Sequence, residues 1–133
     1  MAKSSGLGWT TFSIDNAAGT PVDIRNDTTD LQFATPRAVW DVTGIDKSAN
    51  ERLLLLADAT VTANTVFNPT GAHTVFSTIP STSVLRTVSI GVGGKSLAME
   101  MLGTDYPLQR SNSGELTASV PFSLADGTVP TWS

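Results

Sequence analysis

Between Leu116 and Leu124 apolar and polar residues alternate without a slip: Leu116, Ala118, Val120, Phe122 and Leu124 on one side, Thr117, Ser119, Pro121 and Ser123 on the other. A period of two is the mark of a β-strand with one dry face and one wet face. Glu115 opens the run on its polar side. The same period governs "RTVSIGV", with Val88, Ile90 and Val92 on one face, and "KSLAMEML", with Leu97, Met99 and Met101 opposite Ser96, Ala98 and Glu100. Gly93 and Gly94 join these two runs, so the spacing predicts a β-hairpin whose turn needs positive φ. Gly94, Lys95 and Ser96 also spell the end of a phosphate-binding loop. That motif requires a glycine five residues earlier, where Ser89 stands, and a helix afterwards, where a strand pattern follows. The hairpin reading prevails.

Elsewhere, "WTTFSI", "VDIRND", "DLQFAT" and "RAVWDV" read as short strands divided by turn residues, with Pro36 breaking the last two because it cannot donate to a ladder. "ATVTANTVF" is another alternating run. A helix is predicted in "DKSANERLLLLAD", over about residues 48–57, because Ser48 and Glu51 match the capping box and leucines 53–56 are strong helix formers. Four successive leucines cover most of a helix circumference, so this helix is expected to be buried on more than one side. A weaker helical turn is expected in "AHTVFSTI". "GTDYPL" reads as a turn and "QRSNSG" as a loop. The expected fold class is therefore mainly β, a β-sandwich or barrel-like domain with one flanking α-helix. Residues 1–8 read as a flexible arm and residues 9–133 as a single domain.

The 133 residues include no cysteine and one histidine, His73, which leaves no thiolate chemistry and little material for a Ser-His-Asp triad or a His-rich metal site. No cofactor or metal is expected. "RLLLLADA" is far shorter than a membrane span, and "MAKSSGLG" lacks the apolar core of a secretory signal, so synthesis in the cytosol and no membrane partner are expected. Charged residues make up 15 % of the chain against about 25 % in ordinary soluble domains. A neutral surface of this kind suits burial against other protein copies. The net charge of −4 and the scattered basic residues argue against a protein that grips nucleic acid.

Asp46, Ser48 and Asn50 imitate the start of an EF-hand loop, but Glu51 replaces its glycine and Ala57 its closing glutamate. Asp27 and Asp30 are read as turn residues, not a catalytic pair, and His73 as structural. Arg37 and Arg110 are cations able to pair with a neighbour's carboxylates, against the plainer reading of solvated loop charge. Trp9, Trp40 and Trp132 are candidate anchors, since tryptophan is enriched at interface centres.

Three strings, "ATPRAVWDVTGIDKSANERLLLLADATVTANTVFNP", "HTVFSTIPSTSVLRTVSI" and "SVPFSLADGTVPTW", resemble in order and spacing the major tail tube proteins of siphophages, particularly those of actinobacteria. The likeness runs from about Trp9 to Trp132. It implies a non-enzymatic virion protein, made in the host cytoplasm, that forms six-fold rings stacked into a hollow tail tube. It also implies partners: further copies of itself, a tape-measure protein, tail terminator and distal tail proteins, and genomic DNA in transit without specific binding.

Under that resemblance, the polar faces carrying Ser96 and Glu100, and Glu115, Thr117 and Ser119, are expected to line the lumen, where lysines and arginines would retard DNA, against the plainer reading of a wetted outer face, since alternation does not say which water a strand meets. Trp9, Arg37, Trp40, Arg110 and Trp132 are the expected inter-subunit contacts. A competing expectation is a monomeric β-sandwich that binds a receptor or carbohydrate. It would need aromatics gathered on one face, whereas here they are 7 % of residues and dispersed.

Overall fold

A computed structural model describes residues 3–7 and 9–133, so the expected arm over residues 1–8 falls partly outside the described residues. Ten strands and one short helix follow the order β1 (Thr11–Asp15), β2 (Pro21–Asp23), β3 (Thr28–Ala34), β4 (Arg37–Asp41), β5 (Arg52–Ala57), β6 (Thr60–Val66), α1 (Ala72–Phe76), β7 (Arg86–Val92), β8 (Lys95–Gly103), β9 (Leu108–Arg110) and β10 (Leu116–Leu124). All pairings are antiparallel, and the mainly β class expected from the alternation is what forms.

The main sheet runs β2-β1-β7-β8-β10-β6-β3, with β9 on the remaining edge of β10. β8 and β10 meet over three residue pairs only, Met101–Gly103 against Leu124–Phe122. Pro121 falls in the gap between the stretch of β10 that pairs β9 and the stretch that pairs β8, and its carbonyl accepts the Thr104 N–H at 3.3 Å. About this narrow join the sheet folds over one core. Phe12, Ile14, Val88, Ile90, Leu97 and Met99 enter it from one half, and Val61, Ala63, Ala118, Val120 and Phe122 from the other. Each buried large aliphatic or aromatic side chain contributes about 1.5–3 kcal/mol. The hairpin at the glycines forms as expected, with Gly93 at φ 61° and Gly94 at φ 78° and Val92 opposite Lys95. Two strands flank that turn directly, so the phosphate-loop reading is excluded.

Helix α1 closes one end of the sandwich with Ala72, Val75 and Phe76, the last 6.1 Å from Phe122 ring to ring. Buried Asp27 holds its start, accepting the Ala72 N–H at 2.9 Å and the Asn68 amide at 2.9 Å. Arg86, 1 % exposed, fastens its other end to β1 by donating to the carbonyls of Asp15 (3.0 Å) and Val75 (3.3 Å) and to the Thr78 hydroxyl (2.6 Å).

The helix expected over about residues 48–57 does not form. Leu53–Leu56 lie in β5, paired with β4 in a separate two-stranded ribbon, and all four are exposed. Leucine favours a helix over other residues by only tenths of a kcal/mol, and a helix of about three turns is marginal in water without a surface to pack on. Pairing with the apolar strand "RAVWD" offers the leucines a full backbone ladder instead. A continuous apolar run fits either state, and here the cross-strand partner decides. "LQR" of β9, read as turn and loop, is likewise a strand, held by Arg110, Gln109 and Leu108 opposite Leu116, Thr117 and Ala118.

Candidate assembly surface

The β4–β5 ribbon grows out of the β3–β6 pair. Pro36 lacks an N–H and ends β3, yet its carbonyl accepts the Asp58 N–H at 2.9 Å, so the two chains stay together beyond the interruption. Arg37 pairs with Ala57 and Val39 with Leu54, a step of two residues against three that makes a bulge on β5. The Arg37 guanidinium settles this bulge, donating through Nε (3.0 Å) and Nη2 (2.8 Å) to the Leu55 carbonyl. At the tip, Val42 N–H bonds Glu51 O at 3.0 Å and the Thr43 hydroxyl accepts the Glu51 N–H at 2.8 Å. Asp41 accepts from both the Thr43 hydroxyl and the Thr43 N–H, which holds its carboxyl below the usual range. Glu51, assigned from the sequence to a capping box, therefore closes a hairpin tip.

Val39 opposes Leu54 on one face of the ribbon and Trp40 opposes Leu53 on the other. Every residue of β4 is exposed, and so is every residue of β5 except Ala57. Trp40 is 56 % exposed, Leu56 86 % and Ile45 in the tip loop fully. An isolated two-stranded ribbon is marginal alone, and one apolar on both sides is a surface that awaits cover.

A second feature is the outward face of the half-sheet β9-β10-β6-β3. The registers place Thr117, Ser119 and Ser123 of β10 beside Thr60, Thr62 and Asn64 of β6, and these beside Asp30 and Gln32 of β3. Among the described residues paired on this face there is no lysine or arginine, and the one carboxylate is Asp30. A groove of about 470 Å³ crosses it, lined by Asn64, Gln109, Thr117 and Ser119 among others. Both lateral edges of this half-sheet, β3 and β9, lack a further partner strand among the described residues.

The residues singled out from the sequence separate into three places. Thr117 and Ser119 lie on the bare polar face. Glu115 lies just before β10 in a turn, its carboxylate accepting the hydroxyls of Ser111 and Ser113, which lowers its pKa. Ser96 and Glu100 lie on β8 beside the C-terminal tail, Ser96 exposed at the strand edge that the tail pairs with and Glu100 half-buried near Asp126 and Thr128. Ser96 exchanges backbone bonds with Ser133 (3.0 and 2.9 Å), while the Glu100 carboxylate accepts the Thr87 hydroxyl and its carbonyl the Ala125 N–H. Of the candidate contacts, Trp40 and Arg37 belong to the ribbon, and Arg110 ends the exposed strand β9. Trp9 and Trp132 each pack against Phe33, at ring distances of 6.2 and 5.9 Å, Trp132 remaining 46 % exposed, and the Trp9 indole donates to Thr11 O at 2.7 Å.

The other acids and the histidine have local structural duties. Asp27 and Asp30 diverge, one into the start of α1 and the other onto the polar face. His73 Nδ1 lies 3.1 Å from the Tyr106 hydroxyl with its ring 4.7 Å from Phe67, and burial raises the Tyr106 pKa. Among the described residues no group of three or more His, Cys, Asp or Glu is placed to hold a metal ion, and no helix is long and apolar enough to cross a membrane.

Missed from the sequence were the exposure of Leu53–Leu56 and Ile45 and the anchoring role of Asp27. The apolar run at 53–56 was visible, but only its partner strand shows it to be uncovered.

No protein-family model matches the chain, and no curated protein matches its sequence. Solved structures do share its fold. A chain from the virion of a native gene transfer agent particle superposes with a TM-score of 0.69 at 16 % identity, over 92 % of this chain and 95 % of that one. A chain from the tail of an empty gene transfer agent particle, with C6 symmetry, gives a TM-score of 0.72 at 16 % identity, over 98 % and 99 %. At such identity the likeness is one of fold, and it spans nearly the whole length of both partners.

Proposed function

We propose that this chain is a structural subunit of a virion tail, non-enzymatic, that associates with copies of itself into six-fold rings and stacks those rings into a hollow tube for DNA delivery. The observation that carries the reading is the β4–β5 ribbon, apolar on both faces and uncovered in the single chain. Such a ribbon is an aggregation hazard on a solitary molecule and an assembly device on a subunit. Support comes also from the fold shared with a tail of C6 symmetry. Contacts between unlike patches close into rings or propagate without limit according to the rotation between copies, and a tube uses both.

In this reading the unpaired edges β3 and β9 let the half-sheets of neighbours join around a bore, lined by the polar face bearing Thr117 and Ser119. Ser96 and Glu100 then sit beside the tail on the other half of the sheet, away from that wall, and Glu115 closes a turn at its rim. A wall without lysine or arginine captures no phosphate as DNA slides past. Tape-measure, terminator and distal tail proteins would set tube length and ends.

Negative-stain microscopy of the purified chain across a concentration series tests the reading. Rings or tubes with six-fold end views are expected. A population of single particles at every concentration, also in the presence of tail partners, contradicts it.

A further inference from the structure

At the root of the ribbon, where β5 passes into β6, Leu56, Ala57 and Asp58 face Leu124, Ala125 and Val129 of the C-terminal tail across a hollow of about 300 Å³. Its walls are apolar except for Asp58 and Thr128. Asp58 accepts the Ala59 N–H through Oδ1 at 2.8 Å and enters no ion pair among the described residues, which leaves Oδ2 open to a donor. The hollow is the size of the smaller pockets that hold one aromatic group.

The ribbon also carries the group that suits it. Trp40 is 56 % exposed, and its indole N–H finds no acceptor among the described residues, unlike that of Trp9. An apolar ring with one donor fits a largely apolar hollow that offers a carboxylate acceptor. Trp40 cannot fill the hollow of its own chain. It stands opposite Leu53, four residues tipward of Ala57, about 13 Å along the strand.

Resting on the tail-subunit reading, we propose that Trp40 of one copy is the anchor that seats in the Leu56–Asp58–Val129 hollow of the next copy, its indole N–H donating to the Asp58 carboxylate. Anchor and socket are different patches of one chain, so the contact is head-to-tail and repeats from copy to copy. A buried tryptophan with a hydrogen-bond partner at the centre of an interface is the commonest kind of dominant contact.

The test uses the full-length chain with Trp40→Ala, Trp40→Phe and Val129→Trp, the last filling the socket. Trp40 and Val129 are both exposed in the single chain, so the melting temperatures of all three variants should stay close to the parent's. The critical concentration for assembly is expected to rise about tenfold or more for Trp40→Ala and Val129→Trp, and less for Trp40→Phe, which keeps the ring and loses the N–H. In parallel, Leu53→Cys chains and Thr128→Cys chains are mixed, assembled and oxidised. A covalent heterodimer in the mixture, absent from either variant alone, is expected.

Assembly of Trp40→Ala and Val129→Trp at the parental concentration overturns the proposal, as does an assembled mixture that yields no heterodimer. If Trp40→Ala proves unstable, the socket and cysteine variants decide. Failure of the parent chain itself to assemble would remove the tail-subunit reading along with this contact, whereas a parent that assembles beside indifferent variants removes this contact alone.

Discussion

Two buried polar side chains do at the residue scale what no apolar residue could. Asp27 reaches 45 positions along the chain to accept the Ala72 N–H, fixing the start of a helix too short to stand alone. Asp27→Ala is expected to cost about 1–3 kcal/mol in denaturant unfolding, the range for a lost cap and an orphaned buried donor. Arg86 is charged in a site with no carboxylate bonded to it. Burial draws its pKa down, the nearby Asp15 opposes that, and three neutral oxygens accept its protons. Arg86→Met keeps the bulk and removes the donors, and a loss of about 2–4 kcal/mol is expected by the same measurement.

At the surface, Arg25 binds Asp23 at 2.9 Å and donates to Trp9 O at 2.9 Å. The Arg25 guanidinium holds the Asp23 carboxyl below its ordinary value of 3.8. A depressed acid adds stability above the unfolded pKa and loses it as pH falls through the folded one. Asp23→Asn should therefore lower the melting temperature slightly at pH 7, and the difference from the parent should close below about pH 4.

Among the elements, the ribbon is the one whose removal, under the proposed function, should separate folding from assembly. It adds no side chain to the buried core, and its root is already closed by the Asp58 to Pro36 hydrogen bond. Replacing residues 37–57 with an Asn-Gly turn should leave a folded sandwich with near-parental far-ultraviolet circular dichroism and abolish polymerisation. Loss of the fold would show that the ribbon stabilises the sandwich after all.

This element also marks the limit of what the sequence discloses. The strands with one wet face were legible because their dry faces meet a core within the chain: β10, β7 and β8 follow the alternation residue by residue. In β7 the alternation breaks only at its end, where Gly91 is buried and Val92 half-buried, whereas β5 has no such core. Its leucines satisfy helix periodicity as well as strand, and the choice lies with β4, a partner distant in sequence. The polar face bearing Thr117 and Ser119 was visible as a pattern, but that the C-terminal tail runs beside Ser96 and Glu100 depends on Ser133 returning to pair with Ser96, which alternation does not encode.

For the whole molecule, the proposed cation-free bore and the uncovered ribbon make one claim, that the chain is completed by its own copies. Thr117→Lys and Ser119→Lys on the bare polar face should leave assembly intact and slow DNA passage, an effect that weakens as salt is raised. The most direct measurement is a helical reconstruction by electron cryomicroscopy of the assembled chain. The expected map buries both faces of the β4–β5 ribbon between subunits and turns Thr62, Asn64, Thr117 and Ser119 to the bore. A tube whose ribbons project bare into solvent, or whose wall is formed by another face of the sandwich, contradicts it.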